Sequence, residues 1–127
     1  MIDGARFVWR VTHEHHVRAD APPGEGRCRE VLTIAGDGRH AGRLRLEFTD
    51  GPTRNAGYPQ AGVVWRSDGS GAEVNLNLPR VARAAVEEAM ADGWRPDGPG
   101  RVIDGWALLD RLAARAAARA TRATRAR

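Results

Sequence analysis

The hydrophobic pattern of this chain changes period once, at Pro79, and that change decides which folds are open to it. Before Pro79 apolar residues recur at every second position, the spacing of strands that bury one face. "RLRLEF" (43–48) is the clearest case, with Leu44, Leu46 and Phe48 on one side and Arg43, Arg45 and Glu47 on the other. Phe7, Trp9 and Val11 alternate in the same way, as do Leu32 and Ile34 against Val31 and Thr33, and Val74, Leu76 and Leu78 against Asn75 and Asn77. After Pro79 the spacing becomes helical: Val81, Ala82, Ala85, Val86 and Ala89 form one stripe, with Arg80, Arg83 and Glu87 opposite.

Turn residues divide the strands. "APPGEG" (21–26), "GDGRHAG" (36–42) and "SDGSG" (67–71) are rich in Gly, Pro and Asp-Gly steps that favour tight reversals. Residues 50–61, "DGPTRNAGYPQA", form the longest connection. Asn77 or Leu78 is the expected N-cap of the first helix, with Pro79 in its first turn and Gly93 at its C-terminal end. Asp104 is placed to cap a second helix that begins near Trp106 and buries Leu109, Leu112, Ala113 and Ala116. Strands followed by helices predict an α+β fold. The expected form is a hairpin-connected, meander-like antiparallel sheet of about five strands, with two C-terminal helices packed on one face.

At 127 residues the chain is long enough for one domain with a buried core. Residues 1–110 are read as that domain, and 111–127 as an Arg/Ala-rich helical extension that frays into a disordered basic tail. No apolar run reaches the length of a membrane span, and the polar N-terminus does not resemble a signal peptide. A single cysteine, Cys28, excludes an internal disulfide, and a cytoplasmic location is expected. No cofactor-binding signature is visible, and none is expected to be bound.

The net charge of +4 conceals a division along the chain. Residues 1–110 hold all 16 acids and 14 of the 20 arginines, a balance of −2, so the last 17 residues carry +6. There is no lysine, and abundant Ala, Gly and Arg points to a high-GC, bacterial coding sequence. On a helical wheel Arg111, Arg115, Arg119 and Arg122 fall on one stripe beside the apolar face, at about 100° per residue. Such a stripe can follow a phosphate backbone and release its counterions. It lacks the aromatics that stack on bases and so offers no sequence readout.

Three other groups carry chemistry. In "THEHH" (12–16), His13 and His15 share one strand face, a spacing at which both imidazoles can bind Zn²⁺. Further ligands would have to come from Cys28, His40 or carboxylates elsewhere. Cys28 lies between Arg27 and Arg29, which would favour a thiolate if the charges converged on the sulfur. The loop at 50–61 presents Arg54, Asn55 and Tyr58, residue types common at protein interfaces. With no catalytic constellation in the sequence, the first expectation is a non-enzymatic module that binds another protein through that loop or the solvent face of the sheet, with the tail helix as a second arm. Nucleic-acid binding by the arginine stripe is the alternative, and a metal- or thiol-dependent enzyme using His13, His15 or Cys28 is the third reading.

Overall fold

A computed structural model describes residues 6–15, 20, 22, 28–36, 42–56, 62–68 and 72–125, with the backbone alone for 121–125. The elements are β1 (Phe7–His15), β2 (Cys28–Gly36), β3 (Leu44–Thr49), β4 (Arg54–Ala56), β5 (Val63–Arg66), β6 (Val74–Asn75), α1 (Pro79–Ala91), β7 (Arg101–Asp104) and α2 (Leu109–Arg125). A 3-10 turn, Gly105–Leu108, leads into α2. The fold is α+β, with two helices towards the C-terminus.

The sheet differs from the expected antiparallel meander of five strands. The described residues form two sheets, one of four strands in the order β1-β2-β3-β7 and one of three in the order β4-β5-β6. β1 to β3 run antiparallel, but β7 pairs with β3 in parallel, Leu44 opposite Arg101 and Glu47 opposite Asp104. The reason is topological. β7 arrives after α1, and a strand that returns by way of a helix can lie parallel to its neighbour, where a tight hairpin cannot. "RVID" (101–104) is too short to show a clear period of two, so only its cap, Asp104, was legible. The 50–61 connection is likewise not one loop, because β4 lies within it and pairs with β5.

Alternation sets the core as expected. Leu32, Ile34, Leu44, Leu46 and Phe48 are buried from the sheet, and Val81, Ala82, Ala85, Val86, Ala89, Leu109, Leu112 and Ala116 from the helices. Val31 is also fully buried although it belongs to the other face, where it lies opposite Thr12 and Glu47.

The helix ends follow local chemistry. Leu78 is the N-cap of α1 and Pro79 occupies the first turn. At the other end Gly93 has a φ of 97°, which suits a residue without Cβ. The amide of Trp94 then reaches the Ala89 carbonyl at 2.9 Å and that of Gly93 the Met90 carbonyl at 3.1 Å, closing a Schellman motif. That reversal buries the Trp94 indole. Asp104 accepts from the Trp106 amide at 3.1 Å, as its expected capping role requires. At Gly105 an added Cβ would come within 2.4 Å of the Phe48 ring, so only glycine lets this turn cross the core there.

Candidate metal centre

Strand register builds the site. In the β1–β2 pair His13 lies opposite Glu30 and His15 opposite Cys28, two adjacent rungs on one face. Because side chains alternate, these four residues share their face with Phe7, Trp9, Val11, Leu32 and Ile34, at the end of the sheet away from Phe7. Asp50 continues the lower rung: its amide donates to the Cys28 carbonyl at 2.9 Å, and its carboxylate accepts from the Cys28 amide at 3.3 Å. Phe48, opposite Glu30 on β3, closes the apolar side.

One ligand atom each from His13, His15 and Cys28 lies within 4.8 Å of the others. His15 Nδ1 is 3.5 Å from Cys28 Sγ. On a tetrahedral Zn²⁺, with bonds of about 2.3 Å to sulfur and 2.0–2.1 Å to nitrogen, those two atoms would be about 3.6 Å apart. The imidazoles meet edge to face with centroids 4.4 Å apart. His15 is exposed, while His13 and Cys28 are partly covered, so the cluster sits at the rim of the sheet.

Glu30 is 1% exposed and is the one buried charged residue among those described. It accepts a hydrogen bond from His13 Nδ1. With Nδ1 as the donor, the Nε2 of a neutral His13 ring would keep its lone pair for a metal. Histidines that bind metals commonly donate their other nitrogen to a carboxylate in this way, which fixes the ring and raises its basicity.

Arg29 does not activate Cys28 in the way the sequence allowed. Arg29 points to the opposite face and donates to Glu14 at 2.5 Å, with Glu47 3.5 Å away. Arg27, His16, His40 and Tyr58 lie outside the described residues.

The other sequence candidates are placed elsewhere. Arg54 is exposed in β4, and its guanidinium stacks 5.6 Å from the centroid of the Trp106 ring. Trp106 is fixed by its indole N–H, which donates to the Thr49 carbonyl at 2.8 Å, and by edge-on packing against Phe48. Asn55 is half-buried opposite Trp65. Three of the four stripe arginines reach the acidic side chains of α1. Arg115 Nε donates to Glu88 at 2.7 Å, Arg111 lies 3.5 Å from Glu88, and Arg119 donates to Glu87. The Glu88 hydrogen bond holds the Arg115 guanidinium above its ordinary pKa. The side chain of Arg122 is outside the described set, and α2 continues to Arg125. The sequence contained this pairing, since an acidic pair on one helix faces arginines spaced by four on the next.

No protein-family model matches the chain, and no characterised protein or solved structure shows significant similarity to it.

Proposed function

We propose that the protein binds a thiophilic divalent cation, with Zn²⁺ the best fit, through His13, His15 and Cys28. The observation that carries this reading is the placement of two imidazoles and a thiol on adjacent rungs, with Glu30 buried behind His13. Two nitrogens and a sulfur form a borderline-soft donor set that favours Zn²⁺ over Mg²⁺ or Ca²⁺, which take oxygen. Three protein ligands leave the fourth position of a tetrahedron for water or an incoming group, the arrangement of catalytic rather than structural zinc sites. An ion held there would act as a Lewis acid on that fourth ligand.

The reading also explains why Glu30 is tolerated in a buried position. A buried carboxylate is costly unless paired, and one hydrogen-bonded to a histidine that shares a metal's positive charge is well placed. Nucleic-acid binding draws less support from this arrangement, because Arg111, Arg115 and Arg119 already meet Glu87 and Glu88.

Calorimetric titration of the tag-free chain with Zn²⁺ tests the proposal. One equivalent should bind, accompanied by proton release as the thiol is deprotonated, and Cys28→Ser should lose that binding. Absence of stoichiometric binding, or equal binding by the Cys28→Ser variant, overturns it.

A further inference from the structure

β1 stands at the edge of the four-stranded sheet, nine residues long and without proline. A long edge strand presents a row of backbone donors and acceptors, and natural proteins usually shorten, charge or cover such edges. Two cavities, each of about 230 Å³, flank the same stretch of this strand. On the core side Phe7, Trp9 and Ile34 face Pro79, Ala82 and Val86 of α1 across an apolar space rimmed by Arg83. On the solvent side Val8, Thr33 and Ala35 form a shallow floor between Arg10 and Arg43. Trp9 contributes to both.

Charge distinguishes this end of the outer face from the other. Arg29 and Arg45 are matched by Glu14 and Glu47. Arg10 and Arg43 are exposed, and among the described residues neither is in an ion pair. Arg10 lies opposite Thr33, and Val8 beside it is 64% exposed.

We infer that β1 is a docking edge for an extended acidic peptide segment of a partner protein. Main-chain hydrogen bonds along the open edge would hold the segment, and alternate side chains would give selectivity. A residue opposite Trp9 would direct an apolar side chain towards the cavity under α1. Its neighbours, on the opposite face, would bring carboxylates to Arg10. A second copy of this chain fits less well, because β1 offers only Glu14 as an acid and that carboxylate already serves Arg29 and Arg45. The inference is independent of metal binding.

The test uses a labelled peptide, Ser-Val-Asp-Leu-Asp-Val-Ser, titrated with the full chain and followed by fluorescence anisotropy. Saturable binding is expected. Arg10→Glu should weaken it at least about tenfold, and replacing both Asp of the peptide by Lys should restore binding to that variant. Only alternate amides of an added strand face its neighbour, so of two peptides N-methylated on alternate residues, one must lose binding. Three results overturn the inference: no saturable binding up to about 1 mM, equal binding by both N-methylated peptides, or a β1-mediated dimer that the peptide does not disrupt.

Discussion

The two faces of the four-stranded sheet put different chemistry on the same strands, one residue apart. On the outer face Glu14, Arg29, Arg45 and Glu47 form a closed set. Arg45 donates to Glu47 at 2.6 Å and to both oxygens of Glu14 at 2.9 and 3.0 Å, and Arg29 completes the ring. Each arginine in that group lies within ion-pair distance of both glutamates. On the inner face His13, His15 and Cys28 bring together three atoms whose chemistry is to donate lone pairs, with Glu30 behind them. Two imidazoles and a thiol are donor types that an external electrophile can use, whereas the ion pairs already match each other's charge. Alternation along β1 and β2 thus separates a structural cluster from a candidate binding cluster with no change of backbone.

The largest effect that could break this contrast is on metal affinity. Cys28→Ser or His13→Ala should lower Zn²⁺ affinity by about 100-fold or more, since each removes one of only three protein ligands. Glu14→Gln, one residue away on the other face, should leave affinity within about twofold, because its charge is balanced locally. Competition against a zinc-binding dye measures both. Equal losses from the two faces would mean that affinity follows charge near the sheet end and not the ligand geometry.

Glu30→Gln should fall between these limits. The amide oxygen can still accept from His13, but the negative charge that strengthens the imidazole is gone, and outer-shell changes of this kind cost about 10–100-fold in affinity. The same dye competition reads it, and thermal melts give a second measure. Zn²⁺ at about 100 times its Kd should stabilise the native chain by about 2.7 kcal/mol. The increment should be smaller in Glu30→Gln at the same metal concentration and about 0.4 kcal/mol or less in Cys28→Ser.

How far the sequence revealed these features depended on the range of the information. His13 and His15 were legible as a same-face pair because a period of two is local. Cys28 was one of several ligands the sequence left open and Glu30 was not singled out, because both join the site only through the β1–β2 register, which pairs positions far apart in the chain. Asp104 and Gly93 were readable as caps because capping is settled within a few residues. The parallel pairing of β7 was not, since it depends on where the chain returns after α1. The arginine stripe on α2 follows from the periodicity of one helix. Its acidic partners lie on a different helix, and a single-helix wheel cannot show them.

The outer ring should reveal itself through pH. Hydrogen bonds from Arg29 and then Arg45 hold the Glu14 carboxyl below its ordinary value of 4.5. A carboxylate with a lowered folded-state pKa stabilises the protein above its unfolded value, and that contribution is lost as pH falls through the folded one. Metal-free wild type should therefore exceed Glu14→Gln in stability at neutral pH, by about 1 kcal/mol or less for partly exposed ion pairs. The gap should narrow as pH drops below about 4.5. Urea titrations at pH 7 and pH 3 provide the comparison, and a gap that widens in acid would contradict the assignment.

The smallest effect belongs to the helix pair, and it sets the inner arginines against the outer ring. Arg115 meets both Glu87 and Glu88, and Glu88 is only 10% exposed. Arg115→Ala should cost about 0.2–1 kcal/mol, the range of solvent-accessible ion pairs, because Arg111 remains beside Glu88 to share its charge. Removing Arg111 and Arg115 together should cost more than the two single changes added, since the pair of substitutions leaves Glu88 without a cation. The double-mutant cycle, measured by urea denaturation, distinguishes a helix stripe that clamps α2 to α1 from one whose charges act independently. Simple additivity would return those arginines to the solvent, where an external anion becomes their better partner.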